Sequence, residues 1–337
     1  MSVLINTDHF GLSDRFRRTQ GKVRDTFYLP GNRLAIVTTD RMSAFDVVFP
    51  NAIPGKGKAL HAMSMAWMPL FYLFFESLLA GGHRFQHHLL STEVGDLPEE
   101  FHPFRAELEG RTAIVRQCDV LPLECIVRGF ISGSYWKEYL EAIASQVDEL
   151  VTVHGFSLPR DLLESEKLPR PIFTPSTKAV AGAHDENINY QQMLDILTQW
   201  LGDHPEYAYS ARELAEDIES TSLGLYTAAQ EYSEERGIIV ADTKFEFGLT
   251  VDDNGQTVLT LLDEVVTSDS SRFWQKATYK PGRPQVSFDK QPVRDYLERI
   301  GWNKKPPAPE LPPDIVKQTT ARYLQAAKML FDLDIAA

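Results

Sequence analysis

The sequence predicts an α+β fold, and three observations carry that reading. Strand–turn–strand signals lie near both ends of the chain, at 23–39 and 237–265. Helix-period segments are grouped at 189–235 and 314–330 instead of alternating one-for-one with strands. The chain has 337 residues, 43% of them apolar and 24% charged, which is globular composition with enough length for a large core and two or three lobes.

Taken in order, residues 23–29 and 33–39 are strand-like runs separated by Pro30-Gly31-Asn32, a turn tripeptide. Residues 60–79 read as one or two buried helical pieces, with Pro69 marking a join or start. The tract 81–110 scatters His83, His87, His88 and His102 among loop-forming residues, where surface and loop histidines are the simpler reading than a metal site. Short strands are expected at 114–117 and 124–128 around the Leu121-Pro122 break, and a short helix at 136–143. Residues 152–182, with Pro159, Pro169, Pro171 and Pro175, read as loop. Helical spacing returns at 189–200 and 210–235, where Gly224 weakens the case for one uninterrupted helix. Strands at 237–248 and 257–265 are joined through Asp252-Asp253-Asn254-Gly255, whose asparagine–glycine pair accepts positive φ. A proline-rich connector at 306–313 precedes a final helix at 314–330. These boundaries give a β-rich nucleotide-binding lobe at 1–120, a mixed substrate and metal-binding region at 121–305, and at 306–337 a connector with a helix packing on the body, peripheral to chemistry.

A net charge of −13 opposes loose adhesion to nucleic acid or acidic membrane, though not a small basic pocket. The apolar stretch 65–75, broken by Pro69, is too short to span a bilayer. Two cysteines exclude a disulfide scaffold and suit a reducing compartment; cytoplasm is the expected location. Cys125 lies among apolar residues and reads as core.

Chemistry is concentrated in four patches. In ADTKFEFG at 241–248, strand alternation puts Asp242, Lys244 and Glu246 on one face, and Phe245 and Phe247 on the other. That polar face is either a surface ladder of ion pairs or a ligand-facing array offering oxygen ligands for Mg²⁺ and an ammonium for phosphate. Asp263 and Glu264 end the following strand, where they can approach Asp242 or Glu246. Asp269, Ser271 and Arg272 then form a polar loop; an arginine there suits a carboxylate, and capping is the plain alternative. Gly21, Lys22 and Arg24 in GKVRD at 21–25 offer close backbone approach and two cations, without Walker or dinucleotide glycine spacing. Arg128, followed by Gly129, Gly133 and Ser134, suits a phosphate or carboxylate.

These patches, with TDRMSAFD at 39–46, PLECIVRGFISGS at 122–134, SEKLPRPIFTPSTKA at 165–179, HDENI at 184–188, DEVVTSDSSRFW at 263–274 and SFDKQPVRDYL at 287–297, resemble the SAICAR synthetase family, in its fungal-like single-function form. The resemblance spans about 15–300. It implies an α+β fold related to ATP-grasp and kinase-like phosphotransferases, with antiparallel sheets and an ATP site between lobes. It implies an ATP-dependent ligase of purine synthesis that joins L-aspartate to the imidazole carboxylate nucleotide CAIR through an acyl phosphate. ATP and Mg²⁺ are the implied cofactors; no nucleic acid, membrane or obligatory protein partner is implied. Carried onto this chain, Lys22, Asp242 and Lys244 are the catalytic candidates, and Gly21, Lys22, Arg24 and Glu246 the nucleotide contacts. Asp242 and Glu186 are the metal candidates. Asp40, Arg41, Ser43, Arg128, Ser134, Glu166, Lys167, Asp269, Ser271 and Arg272 are the substrate candidates, with His184 and Asp185 as possible organisers of the site.

Overall fold

A computed structural model describes residues 3–79, 85–178, 186–252 and 254–335. His83, His184, Asp185 and Asp253 lie outside them. The α+β expectation holds: an N-terminal antiparallel sheet adjoins a larger sheet packed with helices.

The N-terminal sheet runs Arg18–Gln20, Arg24–Leu29, Arg33–Thr38, Thr112–Arg116, Leu89–Ser91 in spatial order. Its first hairpin closes at Leu29↔Arg33, with Gly31 and Asn32 at positive φ, as the turn residues require. Alternation along Arg24–Leu29 buries Asp25, Phe27 and Leu29; Phe27 meets the edge of Phe101 in a small core with Phe10 and Phe16.

The larger sheet is organised by the strand Ile238–Val251. It pairs antiparallel with Leu123–Phe130 on one side, and with Ser271–Gln275 and then Thr257–Leu262 along the other. This register sets Arg128 and Arg272 opposite Asp242 from the two neighbouring strands. Thr257–Leu262 stops three residues earlier than its apolar run suggests, because Asp263 takes φ 57 and turns the chain.

Three expectations are revised. Residues 152–182 are not mainly loop: they hold the hairpin Leu150–Val153 with Phe156–Pro159 and the strand Lys167–Phe173. That strand is at the sheet edge, where Pro169 and Pro171 need not donate to a ladder. Residues 56–79 form one helix, Lys56–Leu79, with Pro69 inside it and not at a join or start, whereas the helix expected at 210–235 is found as Ala211–Glu235 and runs through Gly224. His88 is buried, not on a surface loop; His102 reaches the Leu97 carbonyl.

The helix Lys56–Leu79 packs against the final helix Pro313–Phe331. Trp67 stacks on Phe71 and takes the edges of Tyr232 and Phe331, and its indole donates to the Val266 carbonyl at 2.9 Å. Tyr323, Ala326 and Ala327 of the final helix are fully buried, so this segment is part of the main core. No described helix is long and apolar enough to cross a membrane.

Candidate active site

Two clefts adjoin along the polar face of Ile238–Val251. The first, about 200 Å³, lies where the loop around Gly21 faces that strand. Lys22, Arg24, Lys244 and Lys290 line it, as do Glu246, Asp263, Glu264 and Asp269. Arg24 is clamped between Asp263 and Glu264, brought together by the turn at Asp263. Lys22 reaches Asp46 at 2.5 Å with both side chains more than half exposed, so its ammonium is available to a ligand. Glu246 sits between Lys178 and Lys244. Burial alone would raise its carboxyl, but the two ammonium groups hold it below the ordinary range. Burial would lower Lys244; Glu124 and Glu246 raise it instead, keeping it charged. At the back, Asp269 accepts from Lys56 and from Tyr323, each at 2.6 Å. Its burial favours the neutral acid, and the charges of Lys56 and Lys290 overcome that and keep it ionised.

The second cleft, about 490 Å³, is lined by Arg128, Ser134, Glu138, His154, Glu186 and Asn187, with Glu124 at its border. Arg128 is buried; its Nε donates to Thr174 Oγ1 at 2.9 Å and its Nη1 to Asp242 at 3.4 Å. Arg272 closes on the same Asp242 oxygen and reaches Ser132 at 3.4 Å. Gly133 makes room for it: a Cβ there would fall 2.3 to 2.6 Å from the guanidinium, and its φ of +63 already disfavours a side chain. Lys244 joins the clefts. It lines the first and donates to Glu124 of the second at 2.5 Å.

The structure therefore brings Lys22, Arg24, Ser43, Lys244, Glu246 and Asp269 to one cleft, and Arg128, Ser134 and Glu186 to the other. Several expected ligand contacts have other occupations. Asp40 is fully buried and accepts from Leu4 N, Gly57 N and Arg111. Arg41 donates to the carbonyls of Gly21, Lys22 and Ile5 and to Asp25, so it shapes the loop that carries Lys22 without facing a ligand. Glu166 accepts from the Leu163 amide at 2.7 Å in a turn, and neither it nor Lys167 lines either cleft. Ser271 is buried against Thr243 at 2.8 Å. Asp242, the first metal candidate, is compensated by two guanidiniums, where a divalent ion would meet two positive charges.

Sequence reading did not foresee that Lys56 and Tyr323 pair with Asp269, because they meet it from 213 and 54 residues away. It also passed over Glu138 and His154, whose only local signal is a histidine before the glycine of a hairpin turn.

The first cleft offers Mg²⁺ more carboxylates than Asp242 with Glu186 does, and Glu246, Asp263 and Glu264 are paired here to Lys178, Lys244 and Arg24. Among the described residues no group of three metal-capable side chains is preassembled. Mg²⁺ characteristically takes one or two carboxylates together with phosphate oxygens and water. Glu246, Asp263 and Glu264 supply such carboxylates beside cations suited to phosphate.

Two adjoining clefts, each with buried or half-buried cations and linked by one lysine, define the class: an enzyme acting on two charged small molecules. The family model described as SAICAR synthetase matches residues 17–309. The chain is 46% identical to the phosphoribosylaminoimidazole-succinocarboxamide synthase of Desulfosudis oleivorans, over 97% of this chain and 98% of that one. The enzyme of that name from Geobacter metallireducens is 45% identical over 91% of each. Among solved structures, SAICAR synthase of Saccharomyces cerevisiae complexed with SAICAR superposes with a TM-score of 0.75 at 35% identity, covering 100% of this chain and 99% of that one. A SAICAR synthetase of Pyrococcus horikoshii shares the fold, with a TM-score of 0.56 at 22% identity over 92% of this chain and 98% of that one. The chain belongs to the SAICAR synthetase family. It is an ATP-dependent ligase that makes SAICAR from CAIR and aspartate.

Proposed function

We propose that ligation proceeds through an acyl phosphate made where the two clefts meet. The observation that carries this reading is Lys244, whose ammonium faces the first cleft while paired to Glu124 of the second. ATP occupies the first cleft, its phosphates contacted by Lys22, Arg24 and Lys290, with Gly21 giving the backbone close approach. CAIR occupies the second, its phosphate held by Arg128 and Ser134, while Arg272 fixes the Asp242 side of the pocket and orients the aspartate carboxylates.

A carboxylate is a poor acyl donor, so an oxygen of CAIR's carboxylate first attacks the γ-phosphorus and ADP departs. Lys244 moves with neither substrate and balances the charge that develops between them. The amine of aspartate then attacks the acyl carbon and phosphate leaves. Mg²⁺ held by Glu246 with Asp263 or Glu264 would supply charge neutralisation on the polyphosphate. Water exclusion falls to Arg128, which lines the second cleft and is held by Asp242, itself paired to Arg272.

The fungal-like single-function form is part of the proposal and rests on the sequence motifs alone. So are a cytoplasmic location and the three-part division. The separate small core around Phe27 supports an N-terminal lobe, although the helix Lys56–Leu79 lends its side chains to the larger core. Omitting ATP, CAIR or aspartate in turn, with product mass read each time, tests the chemistry. ADP formation is expected to require CAIR, and the amide product to require all three. A stable phosphorylated product that persists in the presence of aspartate would overturn the reading.

A further inference from the structure

We propose that His154 is the base that takes a proton from the attacking amine, with Glu138 as its positioning residue; this rests on the acyl-phosphate reading above. His154 is at the tip of the hairpin Leu150–Val153 with Phe156–Pro159, and lines the second cleft. It and Gly155 form a two-residue turn with φ of +48 and +88. Glycine, asparagine or aspartate meets the first of these angles most easily. Histidine accepts this angle more readily than most side chains, and here the turn presents the imidazole to the cleft.

The ring is also oriented. His154 Nε2 lies 2.9 Å from Glu138 Oε2, and the other Glu138 oxygen accepts from Asn187 at 2.8 Å. Burial alone would raise the Glu138 carboxyl, but His154, Asn187 and the Arg128 charge hold it below the ordinary range, so it is an anion. A carboxylate at Nε2 places the proton there and leaves the Nδ1 lone pair as the basic site. The groups facing this pair are Tyr135 of the same helix as Glu138, Arg128 and Glu124 of the strand Leu123–Phe130, and Glu186 beside Asn187.

The chemistry needs such a group. The ammonium of aspartate must lose one proton before its nitrogen can attack, and a second as the amide forms. The C–N bond forms, the bond from the acyl carbon to the phosphate oxygen breaks, and nothing is oxidised or reduced. One proton leaves on the departing hydrogen phosphate; the other passes to His154 Nδ1 and then to water. Lys244, kept cationic by Glu124 and Glu246, is not suited to accept it.

The experiment compares aspartate with hydroxylamine, an amine largely uncharged at neutral pH that traps acyl phosphates as hydroxamates. In His154→Asn, which tolerates the turn, aspartate-dependent turnover is expected to fall about 100-fold or more. Hydroxamate formation should stay within a few-fold of the parent, and the acid limb of the kcat/KM profile for aspartate should vanish. Glu138→Gln should lower the same rate less and retain the acid limb. An H154N enzyme with parental aspartate turnover and pH profile overturns the assignment, as does equal loss with both amines. If the parent enzyme itself yields no hydroxamate from CAIR and ATP, the acyl-phosphate reading is what fails.

Discussion

Asp242 shows how one side chain acquires its role from strand register. Its cross-strand neighbours are two arginines, so its carboxylate neutralises a pair of guanidiniums that would otherwise repel each other. Asp242→Asn is expected to cost about 3 kcal/mol in denaturant unfolding, because it leaves a buried Arg128 uncompensated. Turnover should fall with it, while the magnesium concentration giving half-maximal rate stays put; a large rise in that concentration would restore Asp242 as a metal ligand. Gly133→Ala tests the other side of the same contact. A Cβ pressed on the Arg272 guanidinium should reduce kcat/KM at least 10-fold with a stability loss of only about 1–2 kcal/mol, from strain at positive φ. Melting curves beside steady-state kinetics separate the two effects. At this scale the sequence was partly legible. Alternation put Asp242, Lys244 and Glu246 on one face, as found, yet Arg128 is 114 residues away from Asp242, and no local pattern carries that distance.

At the scale of elements, signals were strongest where geometry is local. The helix Ala211–Glu235 begins at Ser210, whose hydroxyl accepts from the Glu213 amide while the Glu213 carboxylate accepts from the Ser210 amide. This capping box fixes the start of the helix that packs on Ile238–Val251. Ser210→Ala should lower unfolding stability by about 1 kcal/mol and leave kcat within two-fold, measured by urea titration and initial rates. A larger kinetic effect would show that the helix start is coupled to the clefts. Proline misled the reading of 152–182, since its meaning depends on whether a strand has a neighbour on its donor side. Among the described residues Lys167–Phe173 has one, which is a property of the assembled sheet. Strand ends were legible only to within a few residues, because a single positive φ at Asp263 decided where the ladder stopped.

Across the whole molecule, two buried histidines set how stability responds to acid. His61 and His88 lie near Arg24, between the long helix and the N-terminal sheet. Burial, reinforced by Arg111, lowers His61 to about 4; burial, reinforced by His87 and Arg24, lowers His88 to about 3. Unfolded, both would titrate near 6.5. Between those values the unfolded chain binds protons that the folded one does not, so stability falls as pH drops from about 6.5 towards 4. The combined loss is of the order of a few kcal/mol by pH 4. Urea midpoints at pH 7, 6 and 5 should decrease steadily, and His88→Gln should flatten the slope. An unchanged midpoint would mean that these imidazoles take up protons in the folded protein over the same pH range as in the unfolded chain.

The contact between Tyr323 and Asp269 ties the last helix to the floor of the first cleft, and it has a consequence for how the enzyme is made. Synthesis on a ribosome proceeds from the amino end, so the cation-rich loop and both sheets emerge well before the helix Pro313–Phe331. Until that helix has cleared the exit tunnel, the buried Lys56–Asp269 pair lacks its phenol and the long helix lacks its cover. A nascent chain stalled before that helix is expected to expose the apolar face that Pro313–Phe331 covers. Completion of the first cleft therefore waits on a helix made after both sheets.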